Sequence, residues 1–124
     1  MKNANFKNWL NQLKIIWESK NYQEIVNIVA DKFAWHETPF QKPYTTKEEL
    51  VNDWKTILDQ DNIKVDYQIL SVQNDLGLAQ WSASFDRLSS KEKAELSGIF
   101  AVKLNKEGKC TEFRMWFNSK QNQK

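Results

Sequence analysis

Side chains able to do chemistry near neutral pH are scarce in this chain, which holds one histidine, one cysteine and 16 acidic residues. One carboxylate stands in an unusual setting: Glu37, within Phe33-Ala34-Trp35-His36-Glu37-Thr38-Pro39-Phe40. Read as a strand, this stretch points Phe33, Trp35 and Glu37 one way and Ala34, His36 and Thr38 the other. A glutamate that shares a face with two large aromatics either reaches water at a pocket rim or is a buried acid with a raised pKa. The second environment suits a general acid or base. The plainer alternative is a hydrated or lysine-paired carboxylate at a strand end. His36 is expected to face away from Glu37, toward the surface or an interface, and no nucleophile motif accompanies it for a Ser-His-Asp relay. Cys110 has no cationic or histidine neighbour in sequence and reads as an inert thiol. A single His and a single Cys do not make the cluster that a structural zinc needs, and no carboxylate spacing suggests another ion. No metal and no cofactor are expected.

Rings dominate the remaining candidates: six Trp and 13% aromatics are a large load for 124 residues. Strand parity places Trp81, Phe85, Phe100, Phe113 and Met115 on the same inner face as Trp35. Trp17, Trp54 and Tyr67 are positioned to close a cavity from the other side. Bulky rings around Gly98 and Ala83 suggest a space shaped for a small, flat, apolar or aromatic ligand, with Tyr67 and Trp81 offering hydrogen-bond donors. Simple core packing must account for some of the same rings. Arg87 shares the parity of Phe85, so it stands either at the pocket mouth, attracting an acidic group or pairing with Glu37, or on the surface. On the opposite face Ile99, Ala101 and Trp116 form an apolar patch among Glu95, Ser97, Lys103 and Arg114, the pattern of a subunit contact.

The elements that must position these residues follow from periodicity. Phe6, Trp9, Leu10, Leu13, Ile16 and Trp17 recur at helical spacing and predict a helix over Asn5 to Ser19. Asn21 with Glu24 resembles a capping box opening a second, shorter helix. A strand is expected from Lys32 to Thr38, broken by Pro39 and Pro43 into a loop. Thr46 with Glu49 is a firmer capping box, and Leu50, Val51, Trp54, Ile57 and Leu58 supply the stripe of a third helix. Alternation then takes over: strands from Ile63, from Ala79 to Arg87, from Lys93 to Leu104 and from Lys109 to Phe117. Turns at Asn74-Asp75-Leu76-Gly77 and Asn105-Lys106-Glu107-Gly108 join them. Helices gathered at the front and a meander at the back predict an α+β fold, with three N-terminal helices packed on a strongly curved, mostly antiparallel sheet. One domain spanning 1–124 is expected, with its core over about 5–118 and a polar tail from Asn118 that frays.

Composition narrows the partners. The net charge of +2 comes from 18 basic and 16 acidic residues that are interspersed along the chain, so no field is built for nucleic acid. No signal-peptide pattern and no membrane-length apolar run occur, and a single cysteine suits a reducing compartment, so a cytoplasmic protein without nucleic-acid or membrane partners is expected.

Taken together, Ile16-Trp17 at the end of the first helix, Tyr22 to Asp31 leading into Trp35 to Pro39, the Thr46 helix, Gly98-Ile99-Phe100 and the Gly108 turn resemble the nuclear transport factor 2-like superfamily. Within it, the SnoaL-like polyketide cyclases and steroid isomerases are the nearest in pattern. The resemblance spans about Trp9 to Phe117. It implies a cone-shaped α+β barrel whose sheet wraps the first helix and leaves a pocket at the wide end, and dimers formed through the outer sheet face. In the steroid isomerases a first-strand carboxylate is the base, while a tyrosine and a protonated aspartate bind the oxyanion. Glu37 falls at the base position, but the other two positions hold Leu13 and Gly98, so that route is not available here. The superfamily's epoxide hydrolases use an arginine flanked by two aspartates, and neither Arg87 nor Arg114 lies in such an arrangement.

Two function classes therefore stand. One is a homodimeric binder of a small apolar or aromatic molecule acting as a cofactor-free isomerase, cyclase or dehydratase, with Glu37 as acid/base. The other is a noncatalytic ligand-binding, dimerisation or protein-interaction module of the same fold.

Overall fold

Six apolar residues of the first helix occupy the centre of the fold. Helix α1 (Asn3–Ser19) buries Phe6, Trp9, Leu10, Leu13, Ile16 and Trp17, the stripe its spacing predicts. It stops at Lys20, whose left-handed backbone (φ 63°) turns the chain. The Lys20 and Asn21 amides then donate to the Trp17 and Ile16 carbonyls at 3.1 and 3.2 Å, which satisfies the last-turn carbonyls. The computed structural model describes residues 1–121.

The second helical segment is a 3-10 stretch, Tyr22–Ile28, rather than an α-helix. The expected capping box does not form. Asn21 caps nothing through its side chain, and the Glu24 carboxylate instead accepts from the Asn27 amide at 2.8 Å. The Thr46 box does form: Thr46 Oγ1 accepts from the Glu49 amide at 3.1 Å, and Glu49 Oε1 accepts from the Thr46 amide at 3.2 Å. Helix α2 (Lys47–Trp54) follows and tightens into a 3-10 turn, Lys55–Asp59, that carries Ile57 into the core.

Five strands form one sheet in the order β1-β5-β4-β3-β2: β1 (Val29–His36), β2 (Gln60–Gln73), β3 (Leu76–Arg87), β4 (Lys93–Leu104) and β5 (Cys110–Gln121). The last four are an antiparallel meander, and β1 joins β5 in parallel. The sheet is mixed, curled and unclosed, with the three helices packed on it. The α+β expectation holds.

Sheet ends differ from expectation in ways that pairing explains. Strand β5 does not fray after Phe117, because Asn118 to Gln121 pair with Ser97 to Ala94. Residues 122–124 of the expected tail lie outside the described residues. The β2–β3 turn is Asn74-Asp75, with Asn74 at φ 58°. Gly77 belongs to β3, where a Cβ would sit 2.6 Å from the Phe6 ring. Gly98 marks a still closer approach: a Cβ there would lie 1.7 Å from the Trp116 carbonyl oxygen. Only glycine lets the β5 backbone press so closely on β4. Among the described residues, no helix is long and apolar enough to cross a membrane.

Candidate functional site

The site begins where β1 ends. The Trp35 amide and carbonyl each bond to Tyr44, both at 2.9 Å, so the loop between them folds back along the free edge of β1. Glu37 lies just beyond that strand and keeps the face of Trp35, whose indole Nε1 donates to Glu37 Oε2 at 2.8 Å. Helix α2 brings Asp53 to the same place, and the Tyr44 hydroxyl donates to Asp53 Oδ1 at 3.0 Å. Two carboxyl groups, each held by one aromatic donor, thus share one corner.

Their electrostatics follow from that crowding. Burial against protein raises the Glu37 pKa to about 8, and the Asp53 charge adds to the rise. A hydrogen bond between the two carboxyls favours the protonated form further, while the Trp35 N–H opposes it. Like charges at close range cannot both ionise cheaply, so Glu37 keeps its proton well above the usual carboxylate range. Burial, helped by the bond to Asp53, pushes the Tyr44 phenol up to about 12, so Tyr44 remains a donor.

Beside the acids lies a cavity of about 120 Å³. Trp17, Trp35, Trp54, Trp81, Phe100 and Phe113 line it, with Leu13, Met115 and Phe117, and Glu37, Asp53 and Gln60 are the polar groups of its wall together with Thr56. The rings hold one another: Trp35 stacks on Phe113 at 3.8 Å, Trp81 on Phe100 at 4.8 Å, and Trp54 meets Trp17 edge-on at 5.8 Å. Two of the four indoles are satisfied, Trp35 by Glu37 and Trp17 by Gln60 Oε1 at 2.7 Å. The Nε1 atoms of Trp54 and Trp81 are buried with no hydrogen-bond partner among the described residues. A buried donor without an acceptor costs about 1–3 kcal/mol.

No family model matches the sequence, and no curated protein matches it. Solved structures are similar in fold. One is an NTF2-like protein of unknown function from Exiguobacterium sp. 255-15, with TM-score 0.72 and 12% identity over 89% of this chain and 98% of that one. The chain has the NTF2-like fold. Others sharing the fold are the epoxide hydrolase/cyclase-like enzyme SalBIII of pyran ring formation in polyether salinomycin (TM-score 0.80, 9% identity, 95% of each chain) and a computationally designed 17-OHP binder (TM-score 0.78, 18% identity, 94% of this chain and 96% of that one). At such identities the likeness is one of fold.

Within this NTF2-like fold the cavity gathers seven of the ten expected ligand residues, Trp17, Trp35, Trp54, Trp81, Phe100, Phe113 and Met115, and brings Glu37 to them. Three lie elsewhere. Tyr67 bonds to α1 through the Asn11 side chain and the Lys7 carbonyl. Phe85 is buried away from the cavity wall, and Arg87 covers it with a guanidinium 5.2 Å from the ring centre. An Arg87–Glu37 pair does not form. Gly98 does not open the cavity either, since it is pressed against β5.

The outward residues Ile99 and Ala101 are half-buried, and Trp116 is 43% exposed beside Ile99 in register. His36 also faces outward, paired with Arg114 in register; burial and the Arg114 charge lower its pKa. Cys110 is fully buried, and burial raises its pKa. Among the described residues no group of three or more His, Cys, Asp or Glu side chains could hold a metal ion.

Asp53, Tyr44 and Phe117 escaped the sequence reading. Asp53 sits directly before the apolar Trp54 on α2, yet a lone acid on an amphipathic helix reads as solvated. Only the docking of α2 turns it toward Glu37.

Proposed function

We propose that the protein is a SnoaL-like binder of a small, largely apolar molecule and catalyses cofactor-free proton transfer on it, with Glu37 as general acid/base and Asp53 as the partner that tunes it. The observation that carries this reading is the Glu37–Asp53 pair at the edge of an aromatic cavity. A carboxyl that titrates near 8 suits both removal and return of a proton at neutral pH. In an isomerisation, the ionised Glu37 takes an acidic C–H proton, the bond's electron pair delocalises into the substrate, and the same proton returns at another carbon. No electron is gained or lost, so no redox cofactor is required.

Size restricts the substrate. A volume of 120 Å³ is below the roughly 300 Å³ of ordinary ligand pockets and close to a cavity of about 150 Å³ that takes benzene. A single ring fits, whereas a fused-ring compound requires Phe117 and Met115 to swing outward. Left unfilled, the same volume would cost up to about 3 kcal/mol at ~24 cal/mol per Å³, an expense that plain core packing would avoid. The fold is shared by a cyclase-like enzyme and a designed ligand binder, which supports a small-molecule role. A homodimer through Trp116 and a cytoplasmic setting, suited to a single buried thiol, complete the reading.

A noncatalytic binder is the second reading, favoured by a cavity wall made mostly of apolar rings. Hydrogen–deuterium exchange at the α-carbon of small cyclic ketones in D2O separates the two. Catalysed exchange should rise with pH through about 8 and vanish in a folded Glu37→Gln variant; a ligand that binds without accelerated exchange leaves the noncatalytic reading.

A further inference from the structure

The hydrogen bonds of the cavity wall are one-sided. Glu37 already receives the Trp35 N–H, Gln60 Oε1 receives the Trp17 N–H, and Asp53 receives the Tyr44 hydroxyl. What remains unmet are two donors, Trp54 Nε1 and Trp81 Nε1. Trp54 is 7% exposed and Trp81 fully buried, and both rings line the cavity. An indole N–H donates and never accepts, so the wall asks its occupant for an acceptor.

We infer that the cavity selects a small cyclic carbonyl compound, whose oxygen accepts from the indole N–H groups of Trp54 and Trp81. This rests on the proposed ligand-binding role of the cavity. The neighbouring acids select against the other acceptors: a carboxylate or phosphate would be repelled by a corner that already carries negative charge. An alcohol would bring a hydrogen of its own, which neither indole N–H can accept. A ketone brings an acceptor alone. The assignment also supplies what Leu13 and Gly98 lack. Donors fixed in a water-poor wall stabilise the charge that builds on a carbonyl oxygen when an adjacent C–H proton is removed, at no cost of reorientation.

The test uses the whole chain and two matched rings, cyclopentanone and methylenecyclopentane, with indole N–H signals followed by nitrogen–proton NMR during titration. Trp54→Phe and Trp81→Phe assign the two signals and keep most of each ring's packing. Cyclopentanone should move both signals downfield and bind about tenfold more tightly than the hydrocarbon, the effect of one net buried hydrogen bond. Each folded variant should lose most of that preference while its affinity for methylenecyclopentane changes little. If a variant fails to fold, the wild-type comparison of the two rings decides alone. Equal affinities with unmoved indole signals would overturn the inference and leave the ligand cavity standing. Failure of both rings to bind at millimolar concentration would overturn the cavity role with it. Selective ketone binding without α-proton exchange would support the inference and remove only the catalytic reading.

Discussion

Replacing Glu37 with glutamine should alter stability in a way that depends on pH. The folded protein holds the Glu37 proton up to about 8, whereas an unperturbed glutamate releases it near 4.5. Between those values the folded state binds more protons than the unfolded state, so the stability contributed by the protonated carboxyl is present at low pH and lost as pH rises through the window. At about 1.4 kcal/mol per unit, the shift from 4.5 to about 8 sets a ceiling of about 5 kcal/mol. Glu37 is only half-buried and water relaxes around its charge, which brings the expected loss to about 2–3 kcal/mol. Glutamine keeps an acceptor for Trp35 Nε1 and presents an N–H to Asp53, so it imitates the protonated acid at every pH. Urea unfolding of both proteins at pH 5, 6.5 and 8.5 reads the difference directly. Wild type should weaken relative to Glu37→Gln by about 2–3 kcal/mol across this range and become the less stable of the two at the alkaline end. The His36 titration is common to both and cancels. Parallel stability profiles would refute the reasoning.

Three further outcomes follow from particular contacts. Gly98→Ala places a methyl 1.7 Å from the Trp116 carbonyl and should cost about 3 kcal/mol or more by forcing β4 and β5 apart, seen as a large drop in the urea midpoint. Thr46→Ala removes the acceptor for the Glu49 amide and should cost about 1 kcal/mol, with the cavity and Glu37 titration unchanged. Trp116→Ala should shift the sedimentation profile from dimer toward monomer while ketone affinity is retained; a wild-type monomer at micromolar concentration would remove the subunit-contact role.

Much of the architecture was legible because it rests on local pattern. The α1 stripe, the Thr46 capping box and the strict alternation of Trp81, Ala83 and Phe85 fix elements and faces without knowledge of neighbours. The parity that set Glu37 beside Trp35 survives beyond the end of β1. Less legible were features decided at a distance. Nothing near Val29 announces parallel pairing with Cys110, and Asn21-Glu24 has the letters of a capping box but spends Glu24 on Asn27. Asp53 meets Glu37 only because α2 docks over the strand end, and Tyr44 arrives through a loop bounded by two prolines. Cavity size was hidden most completely, since it depends on how Trp35, Phe113, Trp81 and Phe100 stack, and those rotamers leave room for one ring rather than four.

The raised pKa of Glu37 beside Asp53 at the cavity edge is the claim on which the functional account depends, and carbon NMR titration of the side-chain carboxyls measures it most directly. With the Glu37 signal assigned by its loss in Glu37→Gln, that carboxyl should titrate near 8 and move toward lower pH in Asp53→Asn, where the neighbouring charge is gone. A Glu37 signal that titrates near 4.5 and ignores the Asp53 substitution would contradict the account.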